Sequence, residues 1–217
     1  SSDVCSSDLL AIGTRINDLI TGNVNDDSLP DLIVRTTDSF GSPRVGSFAN
    51  QGNGTFATHN DLPLAPQEST LSADFDGDGN FDIVKTNFAG DTSSLYRGVG
   101  GGLFEDRTFQ SGLGRITRFL GWGATFADID NDGWADIVLC NGHVYPEVGE
   151  TAAESGYRQR KVVYQNLRNG RFQEVSEQLG PGMTEKVTGR GMAVGDFDND
   201  GDLDLLVNCI KIGRAHV

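Results

Sequence analysis

Asp196-Phe-Asp-Asn-Asp-Gly-Asp-Leu-Asp204 is the stretch on which the reading of this chain turns. Carboxylates stand at alternate positions 1, 3, 5, 7 and 9, and a glycine stands at position 6. Two further copies, Asp128-Ile-Asp-Asn-Asp-Gly-Trp-Ala-Asp136 and Asp74-Phe-Asp-Gly-Asp-Gly-Asn-Phe-Asp82, keep the spacing D-x-D-x-D-G-x-x-D. A degenerate fourth, Asn23-Val-Asn-Asp-Asp-Ser-Leu-Pro-Asp31, precedes them. The starts are separated by 51, 54 and 68 residues. A period in this range is the signature of propellers and repeat arrays.

Each copy lies between two short runs rich in β-branched and small residues. Gly191–Gly195 and Leu203–Val207 flank the last copy, and Gly123–Ala127 and Ile137–Cys140 flank the third. Such runs, bounded by Gly and Asp, read as strands. A second hairpin follows in each repeat. Val162–Asn166 and Arg171–Val175 surround Arg168-Asn-Gly170, Ser94–Arg97 and Leu103–Asp106 surround Gly98–Gly102, and Phe48–Asn50 and Thr55–Ala57 surround Gln51–Gly54. Glycine and Asn-Gly suit such turns because they accept positive φ. The unit is therefore strand, acidic loop, strand, connection, strand, glycine turn, strand. Four antiparallel strands repeated in this way form a propeller blade. The expected fold is all-β, about four blades belonging to a larger propeller. Only 150–155 carries a weak helical signal.

The acidic loops have the chemistry of a calcium site. Side chains at positions 1, 3 and 5 of a tight loop converge, the carbonyl of position 7 and the Asp at 9 close the shell, and hard oxygens in this number select Ca²⁺ over Mg²⁺. The expected ligands are Asp74, Asp76, Asp78, Asn80 and Asp82; Asp128, Asp130, Asp132, Trp134 and Asp136; and Asp196, Asp198, Asp200, Asp202 and Asp204. A weaker fourth site would use Asn23, Asn25, Asp27, Leu29 and Asp31, where two amides replace carboxylates and Ser28 replaces glycine. An EF-hand would need a bidentate Glu at position 12; here position 12 is Val34, Lys85, Leu139 or Val207.

Composition narrows the function. The 217 residues carry 31 acidic and 17 basic side chains, a net charge of -14, which argues against nucleic-acid binding. The nine-residue loops alone hold 16 of those acidic residues and no Lys or Arg, so the acidity is local. No apolar run is long enough to span a membrane. Three cysteines are too few for a disulfide scaffold; Cys140 and Cys209 follow equivalent strands of adjacent repeats and read as buried free thiols, with a disulfide between them as the alternative. His59 and His143 are isolated, and neither a nucleophile elbow nor a phosphate loop is visible. The expectation is a binding module rather than an enzyme. A calcium-dependent polysaccharide lyase or hydrolase and a purely structural array are the alternatives.

The third repeat exceeds the second by 14 residues, around His143 to Arg160. This insertion is expected on the face opposite the acidic loops. Its His143, Tyr145, Tyr157, Arg158 and Arg160 are candidate partner-binding residues.

The two ends have a different origin. Asp3–Leu9 and Lys211–Val217 can be encoded by DNA strings that are reverse complements of one another, as in a sequencing adapter read through at both ends. Residues 1–9 and 211–217 are therefore expected to be artefact, with the repeats occupying 10–210.

The four loops, with Leu95-Tyr96 and Tyr164–Phe172, resemble the FG-GAP/VCBS repeat of integrin α propellers. Gly121–Asp128, Asn141–Pro146, Tyr157–Arg160 and Gly189–Gly191 are similar to the cartilage acidic protein group, whose repeats are usually followed by an ASPIC/UnbV domain. The resemblance implies a secreted or cell-surface calcium-binding propeller of about seven blades, used in adhesion to an extracellular protein or glycan.

Overall fold

The computed structural model describes residues 15–22, 25, 27, 29–37, 43–53, 55–63, 70–149 and 155–210. The proposed artefact ends 1–9 and 211–217, the ligand Asn23 and most of the weak helical stretch 150–155 lie outside the described residues. Among the described residues there are fourteen strands: β1 (Arg15–Gly22), β2 (Asp31–Thr37), β3 (Pro43–Asn50), β4 (Phe56–Pro63), β5 (Thr70–Ala73), β6 (Asp82–Lys85), β7 (Ser94–Gly98), β8 (Phe104–Asp106), β9 (Gly121–Ala127), β10 (Asp136–Asn141), β11 (Val162–Asn166), β12 (Phe172–Glu174), β13 (Gly189–Gly195) and β14 (Asp204–Cys209). They form three four-stranded sheets, β1-β2-β3-β4, β5-β6-β7-β8 and β9-β10-β11-β12, and a two-stranded sheet, β13-β14. Neighbours in sequence are neighbours in each sheet, the meander expected of a propeller-like repeat.

The second strand of the second and third repeats is buried on both faces. Asp136–Asn141 is buried at every position, as is Asp82–Lys85. This explains why Ile137–Cys140 reads as a continuous apolar run rather than an alternation.

Two compact units are distinguished, one of 1–66, 72–83 and 96–106, the other of 67–71, 84–95 and 107–217. In the first unit, strand alternation sends Leu32 and Val34 to one side of β2, where they pack with Phe48 and Phe56. Ile33 goes to the other side, against Ile83, with Phe81, Tyr96 and Phe104 around them. In the second unit, Ala127, Val138, Val163 and Val175 make the core, and Met192, Val194 and Leu205 pack on it.

Among the described residues, two α-helical turns were not legible in the sequence, α1 (Thr108–Ser111) and α2 (Pro181–Thr184), each with a 3-10 turn nearby, at Leu113–Arg115 and Ser176–Gln178. Both lie in connections between sheets, and four residues are too few to establish a helical period. Cys140 is buried, Cys209 is partly buried, and both are free thiols; burial pushes the Cys140 thiol up to about 11.

Gly123 of β9 sits where a Cβ would lie 3.0 Å from the Gly191 Cα of β13. The two sheets of the second unit meet backbone to backbone at this glycine pair. Gly123→Val is expected to destabilise the chain by about 1–3 kcal/mol through overpacking, read as a lower midpoint in a thermal melt. An unchanged midpoint would mean that the sheets do not meet there.

Candidate metal centres

Three acidic loops share one backbone design. Position 4 is Gly77, Asn131 or Asn199 and takes φ of 73°, 55° or 60°; position 6 is Gly79, Gly133 or Gly201 and takes φ of 91°, 87° or 95°. Glycine and asparagine tolerate this left-handed region best, so the loop needs two special residues, of which the sequence pattern marked only the glycine.

The position-1 carboxylate organises the turn. Asp128 accepts the Asp132 N–H at 2.9 Å and the Gly133 N–H at 2.8 Å. Asp196 accepts from Asp200 and Gly201, both at 3.1 Å, and Asp74 accepts from Gly77, Asp78 and Gly79. At position 5, Asp78, Asp132 and Asp200 each accept the N–H two residues on, at 2.9, 2.8 and 2.9 Å. These bonds bend the chain so that carboxylates converge. One oxygen from each of Asp74, Asp76 and Asp78 lies within 4.8 Å of the others, and the same holds for Asp128, Asp130 and Asp136 and for Asp196, Asp198 and Asp204. An all-carboxylate set is a hard-cation site. Beside the first set, the buried Oδ1 of Asn80 has no hydrogen-bond partner, which leaves one more oxygen donor at position 7. The residues present therefore fit a divalent hard cation.

Position 9 carries a second role that the sequence pattern does not reveal. The Asp82 carboxylate accepts the Phe75 N–H and the Gly98 N–H, both at 2.9 Å. Asp136 accepts Ile129 at 3.1 Å and Asn166 at 2.7 Å. Asp204 accepts Phe197 at 2.9 Å, and Asp31 accepts Asn50 at 2.6 Å. This aspartate thus closes the loop on itself in the last three repeats, and in the first three it ties the loop to the third strand of its sheet. Burial pushes the Asp82 carboxyl up to about 7; Asp76 and Asp78 push the same way, against the two N–H donors. Burial also raises Asp136, helped by Asp130 and Asp132.

Three side chains that sequence reasoning passed over meet the loops. Arg97 of β7 donates to Asp76 at 2.5 Å and to Asp78 at 2.7 Å. Gln165 of β11 donates to Asp130 at 2.5 Å. Arg168 in the following hairpin donates to Asp132 at 2.9 and 2.6 Å, and that bond lowers the Asp132 carboxyl. The detectable signal was position: Arg97 and Gln165 each follow a tyrosine, Tyr96 and Tyr164, at the same place in successive repeats. In the degenerate loop, Asn25 donates to Asp27 at 2.9 Å, and the Leu29 N–H is bound by Asp27 at 2.7 Å.

The 142–161 connection leaves β10 at Asn141, the end of the strand opposite the acidic loop, as the meander requires. Of its five candidate residues, Tyr145 is 62% exposed and Arg158 is exposed. Tyr157 and Arg160 are half-buried. His143 is buried, and its Nδ1 accepts the Tyr145 N–H at 3.1 Å. Arg160 pairs with Glu174 at 3.0 Å and lies 5.1 Å from the Phe119 ring centroid. His143 and Arg160 therefore shape the connection, while Tyr145 and Arg158 face solvent.

A family model described as FG-GAP-like repeat matches residues 74–139 and 152–207, more than half of the chain. No curated protein matches. Among solved structures, the chain is similar to an Agrocybe aegerita lectin described as recognising non-reducing terminal N-acetylglucosamine. Identity is 21% and the TM-score 0.48, over 87% of this chain and 45% of that one. The chain thus spans less than half the length of that lectin.

Two outcomes separate the roles of the aspartates. In chelator, Asp136→Asn is expected to cost about 1–3 kcal/mol, because a buried N–H loses its acceptor, whereas exposed Asp198→Asn is expected to leave the melt unchanged. Both should weaken calcium binding in isothermal titration. For pH, the folded chain holds the Asp82 proton more tightly than the unfolded chain. The stability this carboxyl contributes is therefore complete below about 3.8 and lost as pH rises through about 7. The metal-free melting midpoint is expected to fall between pH 5 and pH 8, and to fall less in Asp82→Asn.

Proposed function

The chain belongs to the FG-GAP-like repeat family, and from that premise we propose that it is a calcium-stabilised, non-catalytic binding module of an extracellular or cell-surface propeller. The observation that carries this reading is the threefold recurrence of convergent aspartate oxygens within 4.8 Å, each set on the same turn geometry. Calcium would be held by Asp74, Asp76 and Asp78, by Asp128, Asp130 and Asp136, and by Asp196, Asp198 and Asp204. Asp132 and Asp200 stand in the same loops as further oxygen donors. The weaker site at 23–31 would depend on amide oxygens.

A bound divalent cation would neutralise carboxylates that otherwise repel one another. Backbone N–H donors and, in two repeats, an arginine bind the same carboxylates, so the turn has interactions of its own to which calcium would add. Calcium therefore acts on stability rather than on the existence of the turn. The carboxylates are committed to metal and backbone, which leaves the face away from the loops for partners. There Tyr145 and Arg158 offer an aromatic ring and a cation to an extracellular protein or glycan. The subfamily strings support placement in the cartilage acidic protein group, with about seven blades in the complete ring.

Saturating calcium is expected to stabilise the chain by about 2.7 kcal/mol per site at a hundredfold excess over Kd. Differential scanning calorimetry with calcium and with chelator measures this directly. A melt indifferent to both would end the calcium reading.

A further inference from the structure

We propose that the outer cleft beside β12 is a binding site for an acidic saccharide, a sugar carrying a carboxylate or sulfate. The cleft has a volume of about 410 Å³, lies wholly within the second unit and includes none of the acidic-loop residues in its lining. That size falls at the lower end of the range for small-ligand sites. Its walls include Phe109, Gln110, Arg115, Tyr164, Arg171 and Gln173.

The wall opposite β12 is held in place by packing. Gly112 has φ of 95°, and a Cβ there would lie 2.7 Å from the Phe172 carbonyl oxygen, so the turn after α1 rests directly on β12. A Cβ on Gly114 would lie 2.8 Å from the Phe109 ring, which therefore sits over the glycine. The buried Tyr164 hydroxyl donates to the Leu113 carbonyl at 3.3 Å, fixing the 3-10 turn from below. These contacts place Phe109 and Arg115 across the cleft from Arg171 and Gln173.

The chemistry is that of sugar recognition. Phe109 is 75% exposed, the most exposed large hydrophobic side chain among the described residues. An aromatic ring held open beside a cleft offers a flat apolar face to the C–H face of a pyranose. The amides of Gln110 and Gln173, both exposed, supply donors and acceptors for hydroxyls. Two guanidinium groups, Arg115 and Arg171, add positive charge, and among the described residues neither makes an ion pair. The one carboxylate in the lining, Glu174, is already neutralised by Arg160 at 3.0 Å and accepts the Ser176 N–H at 3.0 Å. A chain with a net charge of -14 thus keeps a locally cationic cleft. Guanidinium forks match carboxylate and sulfate oxygens, and a neutral sugar would leave both cations unused.

This site rests on the reading of the chain as a binding module but not on calcium. The test titrates the 217-residue chain, in calcium buffer, with trigalacturonate, with a heparin-derived tetrasaccharide and with neutral cellotriose, by isothermal titration. One acidic probe is expected to bind at least tenfold more tightly than cellotriose, and carboxylate and sulfate are told apart by which probe does so. Raising salt from 50 to 500 mM should weaken that binding. Arg115→Gln with Arg171→Gln, and separately Phe109→Ala, should each reduce it at least tenfold with the thermal melt unchanged, since all three side chains are exposed. Equal affinity for cellotriose, no binding of either acidic probe, or acidic binding that both variants retain would overturn the site. A chain indifferent to calcium that still selects an acidic probe would remove only the metal reading.

Discussion

The aspartate at position 9 of the acidic loops, buried in the first three repeats, is the constraint on which the repeat depends. A carboxylate in a largely apolar setting is costly unless its oxygens are satisfied. Here two backbone N–H groups satisfy it in the second and third repeats, one from the loop and one from the third strand of the same sheet. A local turn is thereby bonded to a non-local strand. The first strand, the loop, the second strand and the third strand are fixed relative to one another by a single side chain, before any metal is considered. Asp74, Asp76 and Asp78 of the second repeat can then crowd together because the framework does not depend on their repulsion being relieved; in the third and fourth repeats the position-9 aspartate itself joins positions 1 and 3.

The same clamp explains the burial pattern. The second strand begins at the clamped aspartate and continues through residues buried on both faces, Asp136–Asn141 in the third repeat. Alternate residues of such a strand feed different clusters, as Leu32 and Val34 feed one and Ile33 another. Volume on both faces is therefore fixed, and glycine appears where two sheets approach by their backbones, as at Gly123 and Gly191. Part of the high glycine content follows from this packing and part from the loops and hairpin turns, where φ must be positive.

Much of the fold was legible because it repeats. The nine-residue spacing, the hairpin glycines and the flanking strands at 121–141 and 162–174 all stand where periodicity places them, and Ile137–Cys140 read as a buried strand because it is apolar without alternation. The convergence of Asp74, Asp76 and Asp78 was equally legible, since positions 1, 3 and 5 of a tight turn face one another. The division of labour among the aspartates was not. Asp82 and Asp76 are identical letters, and only the fold shows that one is buried on backbone donors while the other faces its neighbours. Arg97 and Arg168 were missed for a similar reason: each is distant in sequence from the loop it meets, and the tyrosine before Arg97, matched by the one before Gln165, marks a place in the repeat without pointing to the loop. The outer cleft depends on α1, a four-residue turn below the length at which a helical period can be recognised.

The charge distribution follows from these assignments. Sixteen of the 31 acidic residues lie in the four loops, where a single divalent ion at each would bring the net charge from -14 to -6. The loops also draw in their own cations: Arg97 spans Asp76 and Asp78, and Arg168 reaches Asp132. These pairs are partly solvent-exposed, so each is worth little by itself in stability. Their effect is to hold carboxylates in the converged geometry, which lowers the reorganisation a metal would demand on arrival. An arginine committed in this way is not available to a partner. Cations without such a commitment remain open to the proposed recognition, and among the described residues of the second unit these include Arg158 on the 142–161 connection and Arg115 and Arg171 at the outer cleft. In the second and third repeats the aspartates thus engage the arginines nearest to them, so the proposed metal and recognition sites draw on different side chains.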